Sequence, residues 1–69
     1  MSTLDVVVNG VAQTVGAGSS VADLVGRLVT SPAGVAVAVD NEVVPRSSWS
    51  TSLISDGVRV EIVTAMQGG

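Results

Sequence analysis

Leu4-Asp5-Val6-Val7-Val8, then Asn9-Gly10, then Val11-Ala12-Gln13-Thr14-Val15 sets two apolar runs on either side of an Asn-Gly pair. Leu4, Val6 and Val8 recur at period two and so share one face of a strand. A type I′ turn needs positive φ at both central residues. Asn tolerates that geometry and Gly10, having no Cβ, adopts it freely, so the backbone returns as a second, antiparallel strand. Downstream, Ser20 with Asp23 forms an S-x-x-D capping box that starts a helix. Val21, Leu24, Val25 and Leu28 then recur at i, i+3, i+4 and i+7, an apolar stripe with Asp23 and Arg27 pointing outward. Gly26 within it costs about 1 kcal/mol relative to alanine, and the sequence offers no packing reason for it. The segment Thr30-Ser31-Pro32-Ala33-Gly34 ends the helix, because proline cannot continue it.

Val35-Ala36-Val37-Ala38-Val39 is almost wholly apolar and β-branched, which predicts a strand at the sheet centre or buried on both faces. Asp40-Asn41-Glu42 turns the backbone into a short strand, Val43-Val44, which Pro45 confines to a sheet edge. Ser47, Ser48 and Ser50 around Trp49 support only an irregular stretch or a single helical turn. After the turn at Asp56-Gly57, Val58, Val60 and Ile62 alternate with Arg59, Glu61 and Val63 in a final strand with one buried face. The alternation stops at Thr64. Residues 1–64 therefore read as one domain and residues 65–69 as a flexible tail projecting from the last strand. The order is ββαββ, an α+β protein with one helix across a mixed sheet of four to five strands. Pairing the first and last strands in parallel satisfies the apolar character of both, and that arrangement is a β-grasp fold.

Composition narrows the function. A sequence of 69 residues has room for one small core and no large pocket. It has no cysteine and no histidine, so disulfides, thiolate ligands, the usual general base and the commonest metal ligand are missing. Catalysis by this protein itself is the poorest reading. Its net charge of −3 speaks against nucleic acid and anionic membrane surfaces as partners. No apolar run approaches the roughly 20 residues of a bilayer span, and the amino end lacks a secretory pattern, so the expected location is the cytoplasm. All three basic side chains are arginines. A protein that bears an activated acyl group profits from having no lysine to acylate, although a compositional bias in so short a sequence accounts for it more simply.

The sequence ends in Gly68-Gly69. A diglycine end is slim enough to thread a narrow enzyme channel and presents a bare carboxylate. On the dipeptide alone, a frayed terminus is the simpler reading. Val6-Val7-Val8-Asn9-Gly10, Gly18-Ser19-Ser20-Val21, Ala36-Val37-Ala38-Val39-Asp40-Asn41, Val43-Val44-Pro45-Arg46 with Trp49, Asp56-Gly57 and the diglycine together change that balance. In combination they resemble the ThiS family, the small ubiquitin-like sulfur carriers of thiamin biosynthesis, with V-V-P-R-x-x-W the most specific segment. Val58 stands where members often carry a second acid, and Gln67 is more polar than is usual before the diglycine.

The resemblance implies a protein substrate, not an enzyme. By that resemblance Gly69 is expected to be the residue adenylated and then converted to a thiocarboxylate, and Gly68, Gln67 and Met66 to form the tail that enters partner channels. Implied partners are a ThiF-type adenylating enzyme, which uses ATP and magnesium that this protein does not bind, a persulfide sulfur donor, and a ThiG-type thiazole synthase that receives the sulfur. Two other readings stay open: the small subunit of molybdopterin synthase, whose members are usually longer with a proline-containing tail, and a ubiquitin-like interaction domain with an incidental diglycine. Val63, outward on the last strand, reads as a docking residue with Met66. Arg46 reads either as meeting an acidic partner or as pairing on the surface with Glu42 or Asp56. Trp49 reads as the cover of one end of the core.

Overall fold

The computed structural model describes residues 2–29 and 33–64. Its elements are β1 (Thr3–Val8), β2 (Val11–Gly16), α1 (Val21–Leu28), β3 (Val35–Val39), β4 (Glu42–Val44), a 3₁₀ turn at Arg46–Ser48 and β5 (Arg59–Thr64). The five strands form one sheet in the order β2-β1-β5-β3-β4. Strand β1 pairs with β5 in parallel, whereas β1–β2, β3–β4 and β3–β5 are antiparallel. The helix packs across one face of this mixed sheet, which is the β-grasp arrangement expected from the strand pattern.

Both tight hairpins follow from local chemistry. Asn9 and Gly10 sit at φ 50° and 82°, and Asp40 and Asn41 at 49° and 69°, so each pair supplies the two positive φ values of a two-residue turn. Val8 consequently faces Val11, and Val39 faces Glu42. The capping box of α1 is complete: the Asp23 N–H donates to Ser20 Oγ at 3.1 Å and the Ser20 N–H donates to Asp23 Oδ2 at 2.9 Å. The Ser20 backbone N–H, and after it the Ser20 hydroxyl, hold the Asp23 carboxyl below the usual carboxylate range.

Val6, Val8, Val15, Val37 and Val60 face Val21, Leu24 and Val25 of the helix, and Trp49 and Ile54 close the core. Val60 is wholly buried at 0% exposure, and its neighbours in β5, Arg59 and Glu61, are exposed, as the period-two reading requires.

Four expectations are corrected. The sheet centre is β5, not the strand at Val35–Val39; β3 has partners on both sides, but Ala36 is exposed, so its continuous apolarity reflects small residues on an open face and not double burial. Leu28, assigned to the helix stripe, is 44% exposed, because the helix stops at Leu28 and Val29, already extended at φ −129°, packs against the core in its place. Glu42 belongs to β4 and not to the turn, since the two-residue loop Asp40-Asn41 suffices. The irregular stretch after Trp49 also contributes to the core: Ile54 is buried and Leu53 forms an isolated bridge with Ser20. The helix-ending role given to Thr30-Ser31-Pro32 and the tail assigned to residues 65–69 lie outside the described residues.

Two outcomes test this fold. Val60→Asp places an unpaired carboxylate in the core, a cost of several kcal/mol against a stability of about 5–15 kcal/mol, so circular dichroism should show it unfolded, whereas Val63→Asp should remain native. The capping box makes stability pH-dependent with a definite sign. Because the folded Asp23 value is depressed, its contribution is present above the unfolded value of about 3.9 and is lost as pH falls through the lower folded value. Asp23→Asn should flatten the fall of thermal midpoint below about pH 4 relative to the parent protein.

Candidate functional site

Strand β5 is the element that leads to the C-terminal tail, and its residues define two surfaces. Val60 and Ile62 face the helix, while Arg59, Glu61 and Val63 face away. On that open face Val63 lies opposite Ala36 of β3, and Ala38 lies opposite Val43 of β4. Val63 is 60% exposed and Val43 71%. The register therefore extends the docking residue read from sequence into an apolar strip of Val63, Ala36, Ala38 and Val43, with Glu61 beside Ala38. Val43 and the two alanines escape a sequence reading because their pairing partners are set by register, which periodicity within one strand does not reveal.

Two Asx side chains brace β5, and a third fixes the turn before it to β1. The Asp40 carboxylate accepts from the Arg59 N–H at 2.9 Å, and the Asp40 N–H donates to the Arg59 carbonyl at 2.8 Å. Asn9 Oδ1 accepts from the Ile62 N–H at 2.8 Å, and Asn9 Nδ2 donates to the Ile62 carbonyl at 3.0 Å. Just upstream, the Asp56 carboxylate accepts from the Asp5 N–H at 2.8 Å, and the Gly57 N–H donates to the Asp5 carbonyl at 2.7 Å. The sequence pattern marks these residues only as turn formers.

Arg46 stands elsewhere. With Ala22, Val25, Gly26, Val29 and Trp49 it lines a cavity of about 260 Å³ on the helix side of the sheet, so it does not share a face with Val63. Its guanidinium carbon lies 5.4 Å from the centroid of the Trp49 ring, a cation–π contact worth about 0.5–1 kcal/mol at an exposed site. That contact, and not a pair with Glu42 or Asp56, is what the structure gives Arg46. Trp49 is 6% exposed and its Nε1–H donates to the Val44 carbonyl at 3.0 Å, so it covers the core end as expected and ties the 3₁₀ turn to edge strand β4. A second groove, lined by Val8, Asn9, Val11, Leu28, Ile62 and Thr64, lies where β5 ends. Among the described residues no group of three or more His, Cys, Asp or Glu is placed to hold a metal ion, and no helix is long and apolar enough to cross a membrane. Met66, Gln67, Gly68 and Gly69 fall outside the described residues.

Trp49→Phe removes the indole donor and leaves the Val44 carbonyl without it. Denaturant unfolding should show a loss of about 1–3 kcal/mol, with amide shift changes concentrated at Val43 and Val44.

Comparison with known proteins shows the family and the fold. The sequence model of the ThiS family matches residues 6–69. This protein is 29% identical to the sulfur carrier protein ThiS of Escherichia coli (strain K12), over 96% of its own length and 100% of that protein. It is 35% identical to a thiazole synthase of Paramagnetospirillum magneticum over 96% of its own length, spanning 20% of that longer protein. Among solved structures, the thiamine biosynthesis protein ThiS of Geobacter metallireducens superposes with a TM-score of 0.82 at 30% identity, covering 96% of this protein and all of that one.

Proposed function

The protein belongs to the ThiS family, and we propose on that footing that it is a sulfur carrier of thiamin biosynthesis, a protein substrate passed between enzymes, with Gly69 as the residue that carries the sulfur. The observation that carries this reading is that the family match runs through the final diglycine, so the similarity includes the reacting end as well as the scaffold.

The chemistry follows from what a carboxylate lacks. A bare carboxylate is a poor electrophile, so the Gly69 oxygen first attacks the α-phosphorus of ATP in a partner adenylating enzyme, with magnesium held there. Pyrophosphate leaves and an acyl-adenylate forms. The terminal sulfur of a partner persulfide then attacks the acyl carbon and AMP departs. A thiol cleaves the resulting S–S bond, becoming part of a disulfide and leaving the thiocarboxylate on Gly69. Splitting one difficult acyl substitution into easier steps is the logic of covalent activation. With no histidine or cysteine of its own, the protein supplies the acyl group and its delivery, and the partners supply the catalysis. A thiazole synthase that contains a segment similar to nearly the whole of this protein supports such an enzyme as the sulfur acceptor.

Delivery falls to the open sheet face. Val63, with Ala36, Ala38 and Val43, offers an exposed apolar strip on the strand that runs into the tail. An apolar strip of this kind marks docking, and the acidic balance of the protein favours a partner with basic residues around its own apolar patch. Arg46, on the helix side, is left out of that footprint.

Deleting Gly69, or replacing Gly68 with valine, changes only the reacting end or its width. Both variants should keep the parent thermal midpoint, while ATP–pyrophosphate exchange with the adenylating enzyme falls to background. Full exchange activity in the Gly69 deletion sinks the assignment of Gly69.

A further inference from the structure

Asn9 does more than turn the hairpin. Along the parallel ladder the Val7 N–H donates to the Val58 carbonyl at 3.0 Å and the Asn9 N–H to the Val60 carbonyl at 2.9 Å. At the next rung the backbone of β1 has already turned away into Gly10. The Asn9 carboxamide takes that rung over, its Oδ1 accepting from the Ile62 N–H at 2.8 Å and its Nδ2–H donating to the Ile62 carbonyl at 3.0 Å. A carboxamide carries one acceptor and one donor side by side, as a peptide group does, so it pairs with both backbone groups of Ile62. On the β1 side it therefore prolongs the sheet to the residue before Val63, while β3 holds the other side through Val35 and Thr64.

The same residue is chemically vulnerable. It precedes Gly10, which has no side group to shield its backbone nitrogen. Both residues are exposed, and nothing lies within 4 Å of where a Gly10 Cβ would sit. We propose that Asn9 is a modification-sensitive latch on the tail-bearing strand: deamidation of its carboxamide releases the far end of β5 from the hairpin. In the reaction the Gly10 nitrogen attacks the Asn9 carboxamide carbon and loses its proton, the carboxamide C–N bond breaks, and ammonia leaves. Water then opens the succinimide to aspartate or isoaspartate. The product carboxylate is acceptor-only. It retains a partner for the Ile62 N–H but sets an oxygen against the Ile62 carbonyl where a donor stood, so the rung is lost and replaced by repulsion. For the carrier role proposed above, which this consequence alone rests on, release means that Ile62 to Thr64, the last residues before the diglycine segment, lose their fixed direction. Asn41, the other asparagine, precedes Glu42 and has no such exposed glycine after it.

The test separates the latch from the carrier role. The intact protein is incubated in mildly alkaline buffer, deamidation is mapped by peptide mass spectrometry, and amide hydrogen exchange is followed by NMR in the converted protein and in Asn9→Asp and Asn9→Gly, the last keeping the turn without the carboxamide. Asn9 should convert before Asn41. Ile62 and Val63 amides should exchange about tenfold faster in all three forms, with the Val37 amide unchanged. Unchanged exchange at Ile62, or equal acceleration at Val37, overturns the latch, as does conversion of Asn41 ahead of Asn9. None of these readouts uses a partner enzyme, so failure of the Gly69 assignment leaves the latch result standing and failure of the latch leaves that assignment standing.

Discussion

Burial of Val60 between the first strand and the third is the constraint on which the rest of the structure depends. It is wholly buried, it pairs with Val8 on one side and Val39 on the other, and it joins hydrogen-bonded ladders of opposite sense. A hairpin alone is at best marginally stable in water. The two halves of this protein, β1–β2 before the helix and β3–β4 after it, become one sheet only when β5 is inserted between them. Burying a valine contributes about 1.5–3 kcal/mol, and the strand and the residue before it bring Ile62 and Val58 against the same core. The last strand in sequence is thus the one that unites the fold, and it is also the element from which the tail departs.

That placement separates two tasks. One face of β5 is committed to the core and the other is open, so in the proposed docking role Val63, Ala36 and Val43 would meet a partner without exposing the core. The helix side has its own arrangement, in which Trp49 seals the core end and Arg46 lies over its ring. Gly26 borders the cavity there with no atom within 4 Å of where a Cβ would project, so packing does not require it, and the structure gives no further account of that glycine. Asp40 and Asn9 tie the β3–β4 and β1–β2 turns to successive points of β5, which makes the turns structural braces as well as reversals of direction.

Much of this was legible in the residues. The alternation of Val58, Val60 and Ile62 with Arg59, Glu61 and Val63 located the buried face, Asn9-Gly10 the first hairpin, Ser20 with Asp23 the helix start, and Pro45 the edge. What escaped was relational. The apolarity of Val35–Val39 suits a central strand because apolarity does not distinguish a doubly buried strand from one that carries alanines on its open side. Leu28 fitted the helical period, but a period does not say where the backbone leaves the helix. Ile54 lay among serines and threonine with no repeat to announce it. The Asn9 and Asp40 bonds to β5 join residues 53 and 19 apart in sequence, and neither spacing nor composition encodes such contacts. Arg46 belongs to the V-V-P-R-x-x-W segment, but whether it faces the sheet side or the helix side depends on the path of the 3₁₀ turn.

The central claim is that the Gly69 carboxylate is the group that carries sulfur, and the mass of the intact protein tests it most directly. Protein recovered from cells deprived of thiamin, with its adenylating enzyme and sulfur donor present, should contain a species heavier by the difference between one sulfur and one oxygen atom. Fragmentation should place that difference on Gly69. A single unmodified mass under those conditions, or a sulfur located on any other residue, contradicts the account.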